Sequence, residues 1–178
     1  DLAINDYMCS TLRDDPAQMS PTRFHNSVHN APSGYWSIAT GAMTAATSIA
    51  GFRETFAAGL LEAASQLGDG EGPLLLVAYD VAGIGPMAEV AESGVPFGCA
   101  FVLDHAAAAP QAPMLRLAAI AGGGTAVAPG HPGLAALARS NPIAAGAGAL
   151  LEALATGTAV RLVLPVGTGL DLALVLQP

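Results

Sequence analysis

Two histidines, His25 and His29, stand four residues apart in SPTRFHNSVHNAPSGYWSIATG, the stretch from Ser20 to Gly41. On a helix that spacing puts both imidazoles on one face, where they could share a divalent metal. No Glu or Asp accompanies them as in HExxH, and the sequence places no third ligand, so neither a metal centre nor a cofactor is expected. Polar contact within a subunit interface is the other use of such a pair. The same stretch holds Tyr35 and Trp36, the chain's single tryptophan. Both are apolar bodies with polar tips, a type that serves either as an interface anchor or as core. His105 and His131 lie beside small residues and prolines, which suits surface or capping roles. The triplet Gly122 to Gly124 lacks both GxGxxG and GK[ST] spacing and reads as a loop. Ser48 is flanked by Ala46 and Ala50, so the GxSxG elbow of an α/β-hydrolase is absent.

Composition removes whole classes of function. The chain has 178 residues, 14 acidic and 6 basic, for a formal net charge of −8, and every basic residue is an arginine. Without lysine there is no Schiff-base nucleophile, no phosphate-loop lysine and no Ser-Lys dyad. Scattered arginines on an acidic chain also argue against nucleic acid, which demands clustered positive charge. Hydrophobic residues make up 52%, yet Gly, Pro, Thr or a charge breaks each apolar run before it could span a bilayer. No membrane association is therefore expected. Cys9 and Cys99 show no CxxC spacing, which fits a reducing, cytoplasmic setting better than a disulfide scaffold. The length suits a single domain over residues 1–178. The abrupt start at Asp1 predicts that N-terminal residues, and with them an edge of the fold, are missing.

The elements that must position these residues follow from periodicity. LAINDYMCSTLRD spaces Leu2, Ile4, Met8 and Leu12 for a short helix ending before Pro16. Ser20 is an N-cap candidate with Pro21 at the first helical position, and this second helix is predicted to run through NSVHNA, disturbed by Pro32 and Gly34. Phe52, Phe56, Leu60 and Leu67, widened by Leu61 and Ala64, predict a helix over 52–67, stopped by Gly68 and Gly70. Leu74 to Ala78 reads as a strand buried on both faces. A loop over 81–97, strands over 99–103 and 115–121, and the linker AAAAPQAP between those strands come next. Asn141-Pro142 starts a helix that runs to about Thr156 and is capped by Gly157, and residues 159–164 and 170–176 close as a hairpin around VGTG. Mixed helices and apolar strands imply an α/β sandwich with a mostly internal sheet.

AMTAATSIAGFRETFAAGLLEAASQL followed by PLLLVAYD, read with the Ser20–Gly41 stretch, resembles the nucleophile region of β-ketoacyl synthases. The similarity is to their short homologues of the chain-length-factor type, which accompany ketosynthases in polyene (including aryl polyene) and fatty-acid-like pathways. It is specific from Ser20 to Tyr79 and faint after residue 122. The resemblance implies a thiolase-like layered sandwich, abbreviated relative to a full ketosynthase, with a strand, helix, strand order around the nucleophile. TSIAG lies over the family's ACSSG or ACTSG, which puts Ser48 on the cysteine position and Gly51 on the glycine. At a turn opening a helix, a thiol there would be acidified by free N–H groups and the dipole, but a serine hydroxyl needs an adjacent base. The competing reading is that Ser48 caps the helix over 52–67 or simply fits a narrow turn.

PFGCAFVLDHA and MLRLAAIAGGG fall on two family strands, and VGTGLDLALVL resembles a degraded NSFGFGGTN segment. HGTGT is missing, and so is the family's catalytic lysine. The resemblance thus implies a non-catalytic subunit that forms a heterodimer with an active ketosynthase, or a homodimer. It would complete a shared acyl tunnel and leave acyl carrier docking mainly to its partner. Phe24, His29, Tyr35, Trp36 and Met43 are the expected interface and pocket residues. The alternative is a serine-dependent acyltransferase or thioesterase that uses Ser48 with His25 or His29.

Overall fold

The computed structural model describes residues 2–70 and 72–178. The chain divides into two compact units, one made of residues up to 49 with 81–94, the other of residues 50–80 with 95–178.

In the first unit, α1 (Leu2–Asp14) leads through a 3₁₀ turn (Pro16–Gln18) to α2 (Pro21–His25) and α3 (Ala31–Thr40), and a second 3₁₀ turn spans Gly85–Glu89. As expected, Ser20 caps α2, its Oγ accepting the Arg23 N–H at 3.3 Å, with Pro21 behind it where no donor is required. Tyr7 ties α1 to this cap: its hydroxyl accepts the Ser20 N–H at 3.3 Å, and the Arg23 guanidinium lies 4.2 Å from the centre of its ring. The second helix does not continue through NSVHNA. It ends at His25, residues 26–30 turn, and Pro32 and Gly34 sit inside a separate helix, α3. Pro32 occupies the first turn of α3, where a missing N–H costs nothing, so it starts this helix instead of disturbing it. Gly41, at φ 67°, closes α3 in the left-handed conformation that glycine adopts freely.

Helix α3 is built inside out. Its half-buried positions include Ser33 and Ser37, whereas Tyr35, Trp36 and Ile38 are exposed. Among the described residues of this unit, only Ser93 is fully buried.

The second unit holds the core. A 3₁₀ turn (Phe52–Glu54) precedes α4 (Thr55–Asp69), then come β1 (Leu74–Asp80), β2 (Phe97–Leu103), β3 (Met114–Ala121), α5 (Pro132–Ala138), α6 (Pro142–Thr156), β4 (Val160–Gly167) and β5 (Leu170–Gln177). β1 and β2 form an antiparallel pair, with Ala78 opposite Cys99; β5 is the centre of a separate antiparallel sheet in the order β3-β5-β4. Alternation along β4 and β5 sends Leu162, Leu164, Leu172, Leu174 and Leu176 to one face, which is buried with Phe56 and Leu60 of α4 and Ile143 and Leu150 of α6. Gly146 lets α6 approach α4, since a Cβ there would lie 3.0 Å from the Phe56 Cβ.

The predicted stripe on α4 holds for Phe56 and Leu60 and fails for Phe52. Phe52 lies outside the helix at φ 54° and is 66% exposed. β1 is not buried on both faces: Leu75, Val77 and Tyr79 alternate outward and are exposed, because helices cover one side only of a two-stranded sheet. No strand precedes α4, so the expected strand, helix, strand order around Ser48 is absent among the described residues. Helix α5 forms where the periodicity of the sequence predicts no element.

Asn141 fixes the start of α6 as expected. Its buried Oδ1 accepts the Ile143 and Ala144 N–H groups at 2.9 and 3.2 Å, and its Nδ2 donates to the Val95 carbonyl at 2.9 Å. Asn141→Ala should therefore cost about 2 kcal/mol or more, because it removes a cap and orphans buried groups, whereas Ser20→Ala at an exposed cap should cost about 1 kcal/mol or less. Urea denaturation of the two variants checks this, and equal losses would show that Asn141 is an ordinary cap.

Candidate functional site

The sequence-selected residues gather on α2, α3 and the turn between them. Asn26 is the joint. The Tyr35 hydroxyl donates to Asn26 Oδ1 at 2.7 Å, pinning α3 to the end of α2, and His25 Nδ1 lies 3.5 Å from the same oxygen. Ser27 donates to the Phe24 carbonyl at 2.7 Å and Ser33 to the Asn30 carbonyl at 2.9 Å, so hydroxyls satisfy carbonyls that the short helices leave open. Between these elements lies a shallow groove of about 190 Å³, smaller than a typical small-molecule site. Its lining includes Ala31, Gly34, Tyr35 and Ile38, together with His25 and Val28. The first four follow i, i+3, i+4, i+7 spacing, the signature of one helix face. That signal was present in the sequence, and treating Pro32 and Gly34 as breakers concealed it. Val28, Asn26 and Ile38 were missed for the same reason.

Ser48 stands apart from both histidines in its bonding. It is half-buried in the irregular segment 44–51, and its Oγ lies 3.3 Å from Ser33 Oγ on α3. A second hydroxyl is no general base, having a proton to give but no basicity to remove one. Nor does Ser48 open a helix: the 3₁₀ turn begins at Phe52 and α4 at Thr55, and no side chain caps either. Both the dipole-activated position and the capping position expected for Ser48 are thereby corrected. The thiols offer no substitute. Cys9 is on α1, and burial pushes the Cys99 thiol up to about 11, so it holds its proton at neutral pH.

Phe24, Tyr35, Trp36 and Met43 are 57%, 52%, 55% and 97% exposed, and His29 is exposed beside them. From Phe24 to Ile49 no residue carries a formal charge apart from what His25 and His29 can acquire. Large apolar groups on an uncharged stretch form the kind of surface that a partner covers.

Mixed helices and antiparallel sheets make this an α/β protein. The family model described as beta-ketoacyl synthase, N-terminal domain matches residues 9–131, more than half of the chain. The chain belongs to that family and has its thiolase-like fold. No curated protein and no solved structure matches it.

Among the described residues no three His, Cys, Asp or Glu side chains gather to hold a metal. Incubated with zinc and then mildly chelated, the protein should retain none by elemental analysis, because two exposed imidazoles at most share a weak site. Stoichiometric zinc that is lost in His29→Ala would reveal a ligand set absent from this arrangement.

Proposed function

We propose that the chain is a non-catalytic ketosynthase-like subunit of the chain-length-factor type, pairing with an active ketosynthase and completing its acyl tunnel. The observation that carries the reading is the state of Ser48. At the position that resembles the family nucleophile there is a hydroxyl bonded to another hydroxyl, in a chain without lysine or HGTGT. Decarboxylative condensation needs a thiolate and donors for the developing oxyanion, and a serine without a base supplies neither. The enzyme alternative, a serine acyltransferase or thioesterase, requires His25 or His29 to take the Ser48 proton, and His25 is instead bonded beside Asn26.

The partner is a ketosynthase subunit or, failing that, a second copy, and the shared pathway is fatty-acid-like or polyene, including aryl polyene, synthesis. Acyl carrier docking falls mainly to the ketosynthase, since carriers are acidic and this chain is at −8. A cytoplasmic setting belongs to the same reading; no helix among the described residues is long and apolar enough to cross a membrane.

Incubated with acyl carrier thioester, the protein should acquire no acyl adduct by intact-mass measurement and should release no condensation product. Ser48→Cys should gain an alkylatable thiol and still not condense. A stoichiometric adduct on Ser48 of the native chain would sink the non-catalytic reading.

Sedimentation with an active ketosynthase from the same source should give a heterodimer. Trp36→Ala should weaken that complex by about 2 kcal/mol or more, roughly thirtyfold in Kd, as for an exposed aromatic anchor. If the native chain sediments as a monomer that ignores the ketosynthase, the pairing is wrong; if Trp36→Ala lowers only the melting temperature, the aromatic serves the fold and not the interface.

A further inference from the structure

Gly34 sits inside helix α3, where glycine weakens a helix relative to alanine, and nothing among the described residues calls for it. Its φ is outside the left-handed region, unlike that of Gly41 at the end of the same helix. Apart from the backbone of its own helix, a Cβ built on Gly34 would meet nothing within 4 Å, whereas one on Gly146 would lie 3.0 Å from the Phe56 Cβ. The opening this leaves is the groove of about 190 Å³, walled by Val28, Ala31, Tyr35, Ile38 and His25. Polar groups at its edge are already engaged. The Tyr35 hydroxyl donates to Asn26 Oδ1 at 2.7 Å, which fixes the ring as a wall, and the Asn30 carbonyl accepts the Ser33 hydroxyl at 2.9 Å. Tyr35 and Ile38 are 52% and 80% exposed and Gly34 is exposed with them, so the groove stands open to solvent.

We infer that this groove receives one aromatic side chain of the partner ketosynthase, an inference that rests on the pairing proposed above. Size selects the occupant. An apolar cavity of about 150 Å³ takes up benzene, and small-molecule sites begin near about 300 Å³, so the groove suits a single ring and not a whole ligand. Chemistry agrees with size. From Phe24 to Ile49 no residue carries a formal charge apart from what His25 and His29 can acquire, and the hydroxyl and carbonyl at the groove's edge are bonded within the chain, so an ion or polar head group gains little there. A ring laid over Gly34 meets the Tyr35 and His25 rings in the tilted contacts that aromatic pairs prefer, with Val28, Ala31 and Ile38 closing around it. Aromatic anchors seated in pockets of this kind carry much of the binding energy of protein interfaces. A missing Cβ at Gly34 is what lets such a ring approach the backbone of α3.

The test fills the groove from this chain's own side. Gly34→Leu puts a side chain into it, and because leucine is the better helix former the variant should melt at or above the native temperature. In sedimentation with the ketosynthase it should bind roughly tenfold or more weakly, with Gly34→Ala in between. Toluene, the analogue of a phenylalanine side chain, titrated into the full ¹⁵N-labelled chain should shift the amides of Ala31, Gly34 and Ile38, and in Gly34→Leu the shifts at Ala31 and Ile38 should be lost. If the ketosynthase binds Gly34→Leu as tightly as the native chain, the groove lies off the contact, and the inference falls while the pairing stands. Toluene shifts that are absent, or that persist in Gly34→Leu, overturn it as well. A native chain that does not pair with the ketosynthase at all removes the pairing and, with it, the source of the ring. Self-association of the chain that is lost in Gly34→Leu would assign the ring to a second copy and overturn the inference in the same way.

Discussion

The leucine rows of β4 and β5 must be kept from water, and that constraint organises the rest of the second unit. Antiparallel alternation sends five leucines to one face, and α4 and α6 supply Phe56, Leu60, Ile143 and Leu150 against them. Phe56 also meets Phe101 of β2 at 5.8 Å between ring centres, so the same helix that covers the leucines covers the β1-β2 pair. Because the covering helices must start and stop in register with the rows, the buried Asn141 matters beyond its own hydrogen bonds: it sets where α6 begins and holds Val95, next to the start of β2, in the same contact.

Elements whose signals are local and agree with their burial were legible in the sequence. Ser20-Pro21 and Asn141-Pro142 began helices as written, Gly157 closed α6 at φ 63°, and the last two strands paired around Thr168 and Gly169. What failed depended on context that a linear pattern omits. The apolar run Leu74 to Ala78 has the pattern of a doubly buried strand, but a strand with one neighbour and helices on one side shows its other face to water. Pro32 is ambiguous in the sequence because a proline is a breaker in a helix interior and a starter in its first turn, and the choice depends on where the preceding helix ends. Phe52 matched the periodicity of α4, yet the turn before Thr55 puts it at positive φ and outside the stripe.

The candidate site was legible in kind more than in geometry. Its residue types, rare in so bland a chain, marked the α2–α3 region, and the resemblance placed Ser48. The sequence could not reveal that Asn26 joins Tyr35 to the end of α2, because that bond spans nine residues and a turn. Nor could it reveal that Ser33 is the partner of Ser48, fifteen residues away. Contacts of this range exist only once the backbone path is fixed.

These facts bear on why the first unit is built as it is. Helix α3 turns serines inward and sends Tyr35, Trp36 and Ile38 outward, the reverse of what would stabilise it alone. Each exposed aromatic forgoes a burial contribution on the order of 2 kcal/mol, a sizeable part of the net stability of a domain. A surface of that kind, with no formal charge from Phe24 to Ile49 to keep it solvated, suits a covered state better than a free one. Ser48 points the same way. With only the Ser33 hydroxyl as its bonding partner among the described residues, Ser48 has no base to activate it, and under the proposed pairing the elements around it act by shape, covering and being covered.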